Sequence, residues 1–426
     1  MAGRKDKKMT RKDFLRLLPL FILYFAVFLL FAHRSLDYGD EGRYAAYAEN
    51  LTRGFYAPPD TRFLWNGPGY PLLLTPFAFF DIPWIFAKML NPVFIFLAVC
   101  FVYASIRNYM PEKPALVFAY LFGLYPPFFA ELHLLLTEPF VLMLVTGFAL
   151  LTIKWFESGK FRFMFFASVV CALIALTKVF FAYTASAVLL LSLVLSVWSR
   201  TARKAILIYA IGLLLCVPYL AYTYSLTGRI FCWANSGGTV LYWLYNPYPD
   251  EFGDWKSEQD VAARPELARH RPFFEQLEGL DFVQRDRLLK KKALENIVNN
   301  PGKMLFNYVS NWGRLFLNFP FSYKYQHPRQ LLYLVPNSLL LAAMVFCIYP
   351  LVKFRRYLPP EILHACGLSV VYLVGHSLVY AQARFLCTVV PFIFIVITYA
   401  ATNLIKLQAS DQQFGPELTA EGEELY

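Results

Sequence analysis

The sequence predicts an all-α polytopic membrane protein: about ten transmembrane helices, interfacial helices in the first outer loop, and a partly helical outer loop between spans seven and eight. Three observations predict it. The 426 residues are 58% apolar and only 16% charged, with a mean hydropathy of +0.44, beyond what a soluble globular domain shows. Apolar runs of roughly 20 residues, the length that crosses about 30 Å of hydrocarbon as a helix, recur from end to end. Basic residues collect in alternate connections, as the positive-inside rule requires.

Residues 1–13 form a basic arm with Arg4, Lys5, Lys7, Lys8, Arg11 and Lys12, placed on the cytoplasmic side. The first span, 14–33, is too long for the apolar core of a cleavable signal peptide. Spans two to seven are expected at 83–106, 114–130, 134–153, 163–179, 180–198 and 205–226, and the last three at 333–352, 361–380 and 385–405. In this orientation Arg107, Lys113, Lys154, Lys160, Arg162, Arg200, Arg203, Lys204, Lys353, Arg355 and Arg356 all fall inside. Residues 69–80 are apolar but short and broken by Pro71 and Pro76, so they read as re-entrant or interfacial. The net charge of +11 therefore reflects topology signals facing anionic lipid, and nucleic acid is not an expected partner. The chain divides into the arm, a first helical block 14–226 with an acidic outer loop 34–82, a loop domain 227–332, a second block 333–405, and an acidic tail 406–426.

The seven cysteines are scattered, without a CxxC pair, and indicate neither a metal site nor a disulfide framework. In the loop domain a Tyr/Trp/Pro-rich half precedes a helix expected from about Asp281 to Trp312. Its mixture of Leu288, Leu289, Leu294, Ile297 and Val298 with Arg285, Arg287 and Lys290–Lys292 suits an amphipathic helix on a membrane surface. His270 and His327 show no partner pattern and read as surface residues.

The chemistry points to the first outer loop. A helix from about Asp40 to Gly54 would set Asp37, Asp40, Glu41 and Tyr44 on adjoining faces, with Arg43 one turn from Asp40 and from Tyr47. Taken locally, an N-terminal cap with solvated charges explains the same pattern. Other polar residues gather at the same expected face: Glu131, His133 and Glu138 entering span four, Lys178 closing span five, His376 near the end of span nine, and Arg384 opening span ten. Charged groups in spans are costly and mark function or pairing. Carboxylates and cations beside lipid suit sugar transfer from a lipid-linked phosphate. The leaving phosphate needs cationic stabilisation and no proton, so one carboxylate acting as base on the acceptor hydroxyl suffices. Glu131, His133 and Glu138 also offer metal-ligand chemistry, but polar residues satisfying a turn account for them, and no metal or other cofactor is expected.

These residues carry a resemblance. Asp40–Leu51 (DEGRYAAYAENL) looks like the acidic first-loop motif of the polytopic C-type-fold glycosyltransferases, the superfamily of protein O-mannosyltransferases and lipid A aminoarabinose transferases. Asn66–Leu72 (NGPGYPL), Leu136–Phe140 (LTEPF), Ala175–Lys178 (ALTK), Ala383–Phe385 (ARF), Asn235–Gly238 with Asn246–Pro247, and Ala293–Pro301 (ALENIVNNP) are similar to further segments of its bacterial members, in order along the chain. The resemblance implies an inverting transferase that uses a polyprenyl-phosphate sugar and a lipid, glycan or protein acceptor, in a bacterial inner membrane with its site facing the periplasm. It assigns Asp40 as base, Glu41 and Glu138 as shaping the catalytic site, and Arg43, Lys178 and Arg384 as phosphate partners. Tyr44, Tyr70, His133 and His376 would line the substrate. WNGPG at 65–69 lacks the Lys that some members place there, and no long soluble domain is expected after the last span. A transporter or flippase for a lipid-linked or anionic substrate, and a surface-glycan polymerase or ligase, are the alternative classes; matched halves with midplane charges would mark the transporter.

Overall fold

The computed structural model describes residues 9–36, 39–323 and 328–405; the basic residues before Met9, Asp37, Tyr38, His327 and the acidic tail lie outside them. The described residues form helices and turns, without strands. Helix α1 (Arg11–Phe31) opens with a capping box between Thr10 and Asp13. Helices α2 (Glu41–Thr52) and α3 (Gly69–Phe79) occupy the first loop. At 11 residues α3 extends only about 16 Å, too short to cross alone. The short α4 (Trp84–Lys88) runs into α5 (Leu90–Ile106). Then follow α6 (Glu112–Gly123), the one-turn α7 (Pro127–Ala130), α8 (Glu138–Ser158), α9 (Phe161–Thr177), α10 (Val179–Leu195), α11 (Arg200–Leu215) and α12 (Val217–Thr227).

Among the described residues four helices are long and apolar enough to cross a membrane: α1, the α4–α5 pair, α8, and the later helix Leu331–Lys353; the α11–α12 pair, bent by 47°, makes a fifth if counted as one span. Ten separate crossings are not established by helix length. The expected span 114–130 breaks after Gly123, where Pro126 and Pro127 end the helical run. The bend between α11 and α12 falls at Cys216, just before Pro218. Outward-facing Leu29, Leu30, Val194, Leu195 and Phe346 leave the bundle with the apolar exterior that lipid requires.

The loop domain carries α13 (Gly237–Leu244), α14 (Glu258–Ala263), α15 (Arg271–Glu275), α16 (Phe282–Asn299) and α17 (Pro301–Leu317). The single helix expected here is two, because Pro301 cannot continue the ladder of α16. Val283, Leu289 and Ala293 face the loop domain, while Leu294 and Val298 point outward. A second small core of Tyr242, Trp243, Val261, Leu267, Leu277 and Leu289 holds this unit. His270, expected at the surface, is fully buried: its ring nitrogens meet the Tyr242 hydroxyl at 2.7 Å and Glu251 at 2.9 Å.

The chain ends in α18 (Leu331–Lys353), α19 (Pro360–Ser377) and α20 (Val390–Tyr399), which continues through a π-helical stretch to Leu404. Residues 383–388, expected to open the last span, form a 3-10 turn that precedes Pro391 at the helix start. Helix α8 packs between α5 and α9, and α10 between α11 and α19. The first loop closes over one end of this bundle.

Candidate functional site

At that end, five charged side chains from distant parts of the sequence form one chain of ion pairs. Arg384 Nη2 donates to Asp40 Oδ2 at 2.9 Å, and Asp40 Oδ1 is paired with Arg43 one helical turn on. Arg384 Nε also lies 3.8 Å from Glu138 Oε1, which accepts from Lys178 Nζ at 2.9 Å. The order is Arg43, Asp40, Arg384, Glu138, Lys178: three cations and two carboxylates.

Local backbone places each group. Asp40 stands at the N-cap position of α2, yet its side chain makes no cap bond. The carboxylate is turned to Arg43 and Arg384 instead, which sets the capping explanation aside. Arg43 is fixed by a 2.7 Å bond from its Nε to Asn66 Oδ1 and lies over the Trp65 ring. Asn66 is held in turn because the chain runs tight against the end of α9: a Cβ on Gly67 would collide with the Leu176 carbonyl oxygen, and one on Gly69 with Thr177. Lys178 breaks α9 from α10 in an extended conformation (φ −115°, ψ 95°), which projects its amine toward Glu138 on the first turn of α8. Phe385 lies 5.3 Å from the Lys178 amine and 5.3 Å from the Arg384 guanidinium carbon.

The electrostatics follow from this crowding. Burial disfavours the charged form of Asp40, but Arg384 and then Arg43 outweigh it, and the carboxyl lies below its ordinary value. The side chains of Asp40, Lys178 and Arg384 keep 24%, 17% and 16% of their surface, so the network is reachable rather than sealed. A cavity of about 20 Å³ adjoins it, lined by Glu131, Glu138 and Arg384 together with apolar groups including Ile95, Phe128 and Leu142.

The remaining expected residues distribute differently. Tyr44 is buried, accepts from Asn66 Nδ2 at 3.3 Å and packs edge-on to Tyr70, itself buried against Phe140. His376 is buried among Phe180, Tyr372 and Phe385, where it backs the ring that faces both cations. His133 sits by the end of α1, next to the rings of His33 and Phe31. Glu41 is fully buried, paired with Lys88 at 2.8 Å, and accepts the Leu135 N–H at 2.7 Å. Lys88 also donates to the backbone carbonyls of His33 and Ser35. Glu41 therefore straps α2 to α4 and to the turn before α8.

The residues expected at the site did not include Lys88, Asn66 or Gln382, whose Oε1 accepts from Arg384 Nε at 2.8 Å, and Glu131 was expected only among the polar groups entering span four and as a possible metal ligand. Glu131 had a signal, seven residues ahead of Glu138 in a stretch whose other polar residues are His133 and Thr137. Asn66 opened the NGPGYPL segment, but nothing local pointed to Arg43, 23 residues away, as its partner. Asp40 and Glu138 are engaged by cations, His133 lies beside α1, and among the described residues no three His, Cys, Asp or Glu side chains gather around one point.

No family model matches the chain, and no curated protein sequence does. Solved structures do. The oligosaccharyltransferase of Archaeoglobus fulgidus in complex with zinc and sulfate is 15% identical, with a TM-score of 0.52 over 96% of this chain and 51% of that one. Its apo form gives 0.50 over 96% and 52%. ArnT of Cupriavidus metallidurans bound to undecaprenyl phosphate is 12% identical, with a TM-score of 0.42 over 95% and 81%. The chain spans about half the length of the archaeal enzyme it matches. The likeness is one of fold.

Proposed function

We propose that this protein is an inverting glycosyltransferase that moves a sugar from a polyprenyl-phosphate donor to a hydroxyl acceptor on a lipid, glycan or protein. The observation that carries the reading is the Arg43–Asp40–Arg384–Glu138–Lys178 chain at one end of an apolar bundle. Its three cations against two carboxylates leave one positive charge, which matches the single negative charge of a phosphodiester. The shared fold supports the same class of chemistry. The setting consistent with the loop charges is a bacterial inner membrane with a cytoplasmic N-terminus and a periplasmic site.

In this mechanism Arg43, Lys178 and Arg384 bind the donor phosphate. The acceptor oxygen attacks the anomeric carbon opposite the phosphate, whose bond to that carbon breaks with the electron pair staying on the phosphate oxygen. Arg384 and Lys178 stabilise that growing charge, so no acid is required. The acceptor proton passes to Asp40. The neighbouring guanidinium groups keep Asp40 ionised and make it a mild base, which suits a transition state with oxocarbenium character. Glu138 holds Lys178 and Arg384 in place, and no metal is invoked.

The test is purified protein supplied with a panel of polyprenyl-phosphate sugars and read for transfer or hydrolysis. Asp40→Asn should lower turnover by roughly 10²-fold or more while insertion and donor binding persist. Unchanged turnover sinks Asp40 as the base, and transport without bond cleavage by the wild type favours the flippase class.

A further inference from the structure

Glu131 belongs to no ion pair of the network, yet it is its neighbour. It follows α7, is buried to 8% exposure, and lines the same small cavity as Glu138 and Arg384. Its Oε1 accepts from the Tyr333 hydroxyl of α18 at 3.2 Å. Its Oε2 is buried and has no hydrogen-bond partner among the described residues. A buried ionised carboxylate with one empty oxygen is a costly arrangement, and a second carboxylate on the same cavity makes it costlier. A neutral carboxylic acid costs far less there, and its hydroxyl is available to donate.

We propose that Glu131 is a donor-binding residue that carries its proton and gives it, as a hydrogen bond, to a phosphodiester oxygen of the lipid-linked donor beside Arg384. The proposal rests on the glycosyltransferase reading and deepens it. Charge counting argues the same way. An ionised Glu131 would bring the site to three anions against three cations and leave nothing to attract an anionic donor, whereas the protonated form preserves the surplus positive charge. The same cavity is also lined by Ile95, Phe128 and Leu142, apolar groups that suit a phosphate carried on a hydrocarbon chain.

The groups facing Glu131 are Glu138 from α8, Arg384 and Cys387 from the 383–388 turn, Lys178 from the α9–α10 junction, Tyr125 ahead of α7 and Tyr333 from α18. Burial and then Glu138 raise its carboxyl above the ordinary carboxylate range, against the pull of Arg384, Tyr333 and Lys178. The sign is therefore fixed. Donor affinity should be high at lower pH, where Glu131 is neutral, and fall as pH rises through its titration.

The experiment measures binding of undecaprenyl methyl phosphate, a diester whose one charge does not titrate near neutrality, to the full-length protein in nanodiscs from about pH 5.5 to 8.5. Wild type should weaken about tenfold or more across this range, the worth of one hydrogen bond to a charged group. Glu131→Gln, always neutral and still a donor, should bind with a flat profile at the wild-type low-pH affinity. Glu131→Ala should be flat and about tenfold weaker. A Glu131→Gln profile that falls as the wild type does, or a wild-type profile that is flat, overturns the role of Glu131 alone. Absence of diester binding by folded wild type at every pH overturns the lipid-phosphate reading itself and this proposal with it.

Discussion

Arg384 is the residue on which the site turns, because its planar fork serves two carboxylates on different elements: Asp40 at the start of α2 and Glu138 at the start of α8. A lysine amine is a point charge and cannot hold both at fixed angles. Pairing also sets the pH behaviour of Asp40. Its folded value lies below the ordinary one, so the ionised pair contributes above the unfolded value near about 3.9 and is lost only as pH falls through the lower folded value. The acid limb of kcat/KM should then lie below about pH 4, while loss of activity on the alkaline side belongs to Glu131. An acid limb near about pH 6 would show that some other group is the base.

The elements explain why some of this was legible and some was not. Asp40, Arg43, Glu138, Lys178 and Arg384 stood out in the sequence because charge beside a long apolar run is conspicuous, and the structure joins them. Glu41 stood out equally, but its partner Lys88 lies on α4 and no local pattern announces a pair so far apart in sequence. Hydropathy likewise carried the expected spans through Pro126–Pro127, since averaging apolar residues ignores what proline does to a helix. The Glu41–Lys88 pair has no exposed surface on either side chain, so removing one partner strands a buried charge. Lys88→Met should cost about 3–5 kcal/mol, seen as a lowered melting temperature in detergent. Glu41→Gln with Lys88→Met should recover much of that loss and retain transfer. A double variant that is stable but inert would return Glu41 to the chemistry.

At the scale of the molecule the loop domain grips the backbone that leads to Arg384. Asn311 on α17 donates to the carbonyls of Ser377, at 2.9 Å, and Val379, and accepts from Ala381 N at 3.1 Å. Tyr245 adds a bond from its hydroxyl to the Leu378 carbonyl at 3.1 Å. These bonds fix the strand of backbone between α19 and the 3-10 turn, and that strand delivers Arg384. Arg314, donating to the Phe252, Gly253 and Pro320 carbonyls and to Asn311 Oδ1, locks Asn311 into the loop domain. The loop domain and the bundle are thus coupled through a few buried amide contacts placed just ahead of the guanidinium that bridges Asp40 and Glu138. Small displacements there matter, since about 1 Å of misalignment can cost on the order of 10²-fold in rate. Asn311→Ala should therefore lower turnover and donor binding by roughly ten- to a hundredfold, while shifting the melting temperature less than Lys88→Met does, because α8 and its packing against α5 and α9 are untouched. If Asn311→Ala melts early yet turns over normally once folded, the loop domain stabilises the protein without aligning Arg384.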